Sequence, residues 1–421
     1  MEILFSLSIA LFAGLMLSRL AKLVKLPAVT AYLVAGILVG PFCLGAFGVE
    51  GLGFVSMEQI ESYSLISDVA LGFIAFSIGN EFRLSQLKAI GKQATVIGIV
   101  QAVFTTLVVD AALIGLHFLI SDKLSLPAAI VLGAVASATA PAATLMVVRQ
   151  YKAKGPVTDT LLPVVALDDA VGLVLFSISF GVAKALISTP DSIAPIIIEP
   201  LLEVVLSLAL GAGMGYLFTF FERFFHSRSK RLSMSVAFVF LTLALSMLKF
   251  EVFGLHIAFS SLLTCMMLGT IFCNICDFSE ELMDRLDRWT APIFILFFVL
   301  SGAEFDLTVL TDLLIVLIGL VYIVFRCLGK YYGARLSATW VKSDTNIRKY
   351  LGITLFPQAG VALGMAIKAM ALGETGTIVA NITLFSVLIY ELIGPFLTKE
   401  ALIKAGEVDP EGKTSARTKA E

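Results

Sequence analysis

The chain has 421 residues, of which 58% are hydrophobic and 15% charged, with a mean hydropathy of +0.96. Soluble domains average about 45–50% apolar and about 25% charged residues, so the composition excludes an ordinary soluble protein and leaves no long soluble domain. The formal net charge of -2 gives no case for a nucleic-acid-binding surface; the chain reads as an all-α polytopic membrane protein.

Runs of about 20 apolar residues cross a bilayer as helices. Thirteen such segments follow one another: 2–18, 27–47, 60–80, 93–119, 125–148, 157–182, 194–221, 232–249, 252–273, 289–303, 312–334, 350–372 and 376–398. The first lacks a basic leader, and Arg19, Lys22 and Lys25 come after it, which marks a membrane helix and not a cleaved signal peptide. The tenth is short and has room to start earlier. The polar stretch from Lys404 to Glu421 reads as a disordered tail. The expected division is a membrane transport domain over 1–403 and a tail over 404–421.

Basic residues fall almost entirely in alternate loops. Those after segments 1, 3, 5, 7, 9 and 11, and the tail, hold nearly all of the lysine and arginine, whereas the other loops hold only Lys123, Lys184 and Lys249. The positive-inside rule then places the N-terminus outside and the C-terminus in the cytoplasm of a cell membrane.

The fifth segment is interrupted by Ser137-Ala138-Thr139-Ala140-Pro141, and the twelfth by Phe356-Pro357-Gln358-Ala359-Gly360. With the seventh segment as a linker over about 194–225, the repeats run over about 1–190 and 230–403. Each break then falls in the fifth helix of its repeat, and the two repeats are inverted. Paired broken helices of this kind mark the midplane site of secondary transporters. Proline kinks in membrane helices are common, and it is the pairing that carries the argument. Ala140, Pro141, Pro357, Gln358 and Gly360 are therefore the expected crossover residues, with Thr139 and nearby carbonyls as ligands for a hard cation.

The sixth segment carries Asp168 and Asp169 inside Val164-Val165-Ala166-Leu167 and Ala170-Val171-Gly172-Leu173. A carboxylate near the bilayer centre costs at least about 2.5–3.5 kcal/mol, and two adjacent ones disfavour each other's ionisation. Such a pair reads as a site that binds and releases protons or metal cations. The two side chains lie about 100° apart around a helix, so they face different partners. Arg326 and Lys330, one turn apart in segment 11, are the expected counter-charges, although Lys330 also lies near enough to an interface to snorkel. Lys368 reads as snorkelling.

Asp68 and Asp110 are further acids within the segments. Asp68 is a candidate for an entry funnel, as is Glu81, whose other reading is an interfacial salt bridge. Asp110 has no assigned role. Of the five cysteines, Cys273 and Cys276 form a C-x-x-C, but without a second pair or a histidine cluster they read as packing thiols.

These residues resemble the monovalent cation:proton antiporters, in the branch that holds the NapA, GerN and Kef-type proteins. Leu26-Pro27-Ala28-Val29-Thr30 through Gly36-Ile37-Leu38-Val39-Gly40-Pro41 is similar to that family's opening signature, and Phe76-Ser77-Ile78-Gly79-Asn80-Glu81 resembles its next one. Asp168-Asp169 resembles the paired aspartates of electrogenic members, where electroneutral relatives have Asn-Asp. The resemblance covers about residues 1–400. It implies a mobile core domain beside a dimerisation domain, a homodimer, and elevator-like alternating access. It also implies that Asp169 carries the ion and the proton, while Asp168 pairs with Lys330 in one state. Two features depart from the pattern. A short tail stands where some relatives carry a nucleotide-binding domain, and the twelfth segment lacks the charge many relatives have near Gln358.

The sequence thus predicts a secondary antiporter, not an enzyme, that exchanges Na⁺ (or K⁺ or Li⁺) for protons without a cofactor. The alternative of the same architecture is a gated cation (K⁺) efflux pore. An intramembrane aspartyl protease needs aspartates on two helices, and an ATP-driven pump needs a P-loop; the sequence has neither arrangement.

Overall fold

The computed structural model of the protein describes residues 2–23, 26–49, 52–80, 84–120, 124–187, 194–225, 227–248, 250–252, 255–276, 278–305 and 311–408. Glu81, expected near a funnel, lies outside the described residues. The first half comprises α1 (Glu2–Leu23), α2 (Ala28–Val39), the short α3 (Met57–Glu61), α4 (Ser64–Asn80), α5 (Leu84–His117), α6 (Leu126–Val135), α7 (Pro141–Gln150) and α8 (Pro156–Ile187). After α9 (Ala194–Glu222), the second half comprises α10 (Arg228–Ser246), α11 (Ser261–Ile275), α12 (Ser279–Ala303), α13 (Leu313–Trp340), α14 (Thr345–Thr354), α15 (Gly360–Ala369) and α16 (Glu374–Lys404). Nine helices among the described residues are long and apolar enough to cross a membrane. The shorter apolar helices α4, α6, α11 and α15 fill the remaining expected positions.

Three boundaries differ from expectation. The ninth segment does not start as a helix at 252: β1 (Phe250–Val252) pairs antiparallel with β2 (Leu255–Ile257), and α11 begins only at Ser261. Apolar content alone does not separate a strand from a helix. The tenth segment gains ten residues at its start, because the polar turns of α12 project beyond the apolar run. Arg285 and Glu281 pair there at 2.7 Å. Residues 405–408, expected to belong to a disordered tail, are held in place: Glu407 is buried and bonded to the start of α8.

The packing is reciprocal between the halves. The corresponding helices α5 and α13 pack on each other; α2 packs on α12 as α11 packs on α4; α8 contacts α14 as α16 contacts α6 and α7. Glycine pairs make two of these contacts backbone to backbone. A Cβ on Gly36 would lie 2.0 Å from the Val299 carbonyl oxygen, and one on Gly302 2.2 Å from that of Leu33. Gly79 and Gly269 repeat the arrangement between α4 and α11, against Met266 and Phe76. Small residues permit such close approach between membrane helices. Two groups result: α1, α2, α4 and α10–α12 in one, and α5–α8 and α13–α16 in the other.

Candidate ion-binding site at the helix crossing

α6 ends at Val135 and α7 begins at Pro141, where a proline is tolerated because its missing N–H is one that no helix bond would use. α14 ends at Thr354, and α15 begins at Gly360 after Pro357. The breaks touch: the Ala140 N–H donates to the Pro357 carbonyl at 2.8 Å. The ends of four half-helices therefore meet in the protein interior, each with backbone groups that its own helix cannot satisfy.

One face of α13 satisfies them. Tyr322, Arg326 and Lys330 recur every fourth residue, and all three are 0% exposed. The Arg326 guanidinium donates to the carbonyls of Ala136 (2.9 Å), Ala138 (2.6 Å) and Phe356 (2.7 Å). Expected as a counter-charge for the aspartates, it instead neutralises the negative ends of both broken helices, a task suited to its rigid fork of donors. Gln358 adds its amide to the Val135 carbonyl at 2.9 Å and bonds the Tyr322 hydroxyl.

Lys330 lies one turn further along. Its ammonium donates to Asp168 Oδ2 (2.7 Å), Thr139 Oγ1 (2.9 Å) and the Ser137 carbonyl. Its depth rules out snorkelling. Thr139, expected as a cation ligand, directs its hydroxyl to Asp168 Oδ2. Asp168 Oδ1 accepts from the Gln101 side-chain amide, whose same nitrogen also donates to the Gly98 carbonyl at 3.2 Å. Gln101 reaches the site because Gly329 and Gly333 let α13 close onto α5 at Thr105 and Gln101.

Asp169 is the contrast. It is 1% exposed, and neither carboxylate oxygen has a hydrogen-bond partner. A cavity of about 910 Å³ opens at the end of the bundle that carries the basic loops, short of Asp169. Its lining includes Arg149, Asp159, Leu162, Pro163, Asp287 and Phe294. Leu162 lies seven residues before Asp169, hence on the same face of α8 and about 10 Å from it along the axis.

Other expected residues stand apart. Gly360 opens α15. Asp68 is half-buried in α4. Asp110 packs against Gly133, where any Cβ would overlap its Oδ1, and that oxygen has no partner. Lys368 is largely exposed, 3.6 Å from Glu203. Sequence reasoning missed Gln101, Tyr322 and Glu391. Each is a polar side chain within an apolar run, and Tyr322 also precedes Arg326 by one turn.

The sodium/hydrogen exchanger transmembrane family model matches residues 7–404. The chain belongs to the sodium/hydrogen exchanger family. It is thereby a multi-pass membrane protein of the cation:proton antiporters. Two solved structures of the sodium proton antiporter MjNhaP1 from Methanocaldococcus jannaschii share the exchanger's fold. One, at pH 8, has a TM-score of 0.68 at 19% identity and covers 96% of this chain and 97% of that one. The other, from an electron-microscopy map, has a TM-score of 0.70 at 18% identity, with 95% and 94% covered. No curated protein matches this exchanger in sequence.

Proposed function

We propose that this exchanger moves Na⁺ against protons electrogenically, with Asp169 as the shared site of cation and proton. The observation that carries the reading is the asymmetry of the aspartates. Asp168 is held by Lys330, Thr139 and Gln101, whereas the Asp169 carboxylate is buried with no partner. A buried carboxylate with no donor is neutralised by whatever cation reaches it, so proton and metal ion exclude each other there. A cation drawn between the two carboxylates also competes with the Lys330 ammonium for Asp168. Lys330 then gives up its proton as Asp169 gives up its own, and two protons exchange for one cation.

With the basic loops in the cytoplasm, the N-terminus is outside and the 910 Å³ cavity faces inward. The group α5–α8 and α13–α16 moves as one body against the other, which also forms a homodimer in the cell membrane. The test is collapse of a pH gradient in proteoliposomes by Na⁺, Li⁺ or K⁺ added singly, in wild type and Asp169→Asn. Collapse by one cation in wild type only supports the assignment and names the substrate. Wild-type exchange retained in the variant sinks it. Cation flux without proton movement favours the gated pore.

A further inference from the structure

Glu391 is an intramembrane acid that the exchange site does not use. It lies about 25 Å along α16 from Glu374, at 1.5 Å per residue. Leu392, beside it, accepts the Thr30 hydroxyl of α2 at 3.4 Å, and Gly394, one turn on, packs against Pro357 at the crossing. Glu391 therefore stands at the depth of the crossing, on the seam between the two helix groups. Its residue is 4% exposed, and its Oε2 is buried without a hydrogen-bond partner.

Among the described residues no cation is set against it. α2 and α6 carry no charged side chain. Arg326 of α13 is spent on three carbonyls and the Tyr390 ring, Arg149 of α7 pairs with Asp287, and Lys368 of α15 lies beside Glu203. Arg348 and Lys349 stand in the first half of α14, toward the basic loops. Lys399 on α16 itself lies beside Glu400, two turns away.

An intramembrane ionisable group is expensive to keep and marks an ion or proton route. A bare metal ion needs several oxygens, whereas a lone carboxylate binds a proton unaided. We propose that Glu391, on the seam between the two helix groups, is a second proton-binding carboxylate, separate from Asp168 and Asp169. The site stands by itself; its part in transport rests on the antiporter reading.

Infrared difference spectra between acid and alkaline pH, on lipid-reconstituted protein in choline buffer, read the carboxylic-acid C=O band directly. The expected result is a component present in wild type and in Asp169→Asn, lost in Glu391→Gln, and displaced in pH in Glu391→Asp. A folded Glu391→Gln protein whose spectrum superimposes on wild type overturns the proposal. If that variant does not fold, a Glu391→Asp protein that titrates as wild type does overturns it. In liposomes, Glu391→Gln is expected to shift the dependence of exchange on pH, and an unshifted profile removes the transport role. Wild type without exchange but with the infrared component would refute the antiporter reading and leave the site standing.

Discussion

Asp168 and Asp169 are neighbours in sequence and opposites in bonding: one carboxylate accepts from three side chains, and the other from none. The difference follows from the 100° turn between adjacent helical residues, which directs Asp168 at α13 and α5. It separates a carboxylate held by side chains from one that none of them holds.

Asp169→Asn is expected to abolish exchange without loss of stability. No hydrogen bond is removed, and a buried unpaired acid is replaced by a neutral amide. A melting temperature at or above the wild-type value, together with no cation-induced collapse of a pH gradient, is the expected pair of results.

Lys330→Met is expected to be severely destabilising. It leaves the Asp168 carboxylate buried beside two neutral donors, and breaking one side of a buried ion pair costs about 3–5 kcal/mol. Asp168→Asn in the same chain is expected to recover much of that loss. Melting curves of the single and double variants would show the coupling; additive losses would contradict it.

Arg326→Lys is expected to fail as a conservative change. An ammonium cannot reach the Ala136, Ala138 and Phe356 carbonyls at once. Each hydrogen bond to a charged donor contributes about 1.5–3 kcal/mol, so the loss is expected to exceed that of a surface arginine several-fold. Hydrogen exchange at Ala136–Ala140 and Phe356–Gly360 would locate it.

Glu407→Ala is expected to loosen the start of α8. The carboxylate accepts from the backbone N–H groups of Val157 (2.6 Å) and Thr158 (2.8 Å) and from the Thr158 hydroxyl (2.7 Å). Loss of such a cap costs about 0.5–2 kcal/mol. Faster amide exchange over Val157–Thr160, with α16 unaffected, is the expected signature, and Glu407→Gln should fall between.

Much of this arrangement is legible in the sequence, and the limits are physical. Hydropathy finds the segments because a bilayer demands about 20 apolar residues per helix. Proline and small residues find the breaks at Pro141 and Pro357. Hydropathy does not find Gln101, because one amide scarcely lowers the mean of a 34-residue helix, and its role depends on glycines in another helix. Glu391 escapes for the same reason. Arg326 reads as a counter-charge for the aspartates and instead bonds carbonyls, since a residue's depth does not say whether carbonyls or carboxylates will face it. Glu407 lies in a stretch whose polarity resembles a free tail, and only the far-off start of α8 gives it a bond.

The paired glycines at α2–α12 and α4–α11 bear on where this molecule can yield. With backbones in direct contact, those helices cannot slide without unseating carbonyls from the hollows that Gly36, Gly302, Gly79 and Gly269 leave for them. The same holds where Gly329 and Gly333 seat α5 against α13. On the proposed rigid-body movement, the two groups would part where ordinary side chains meet, between α16 and α2 and around α7. That plane would be drawn by the absence of a few methyl groups elsewhere.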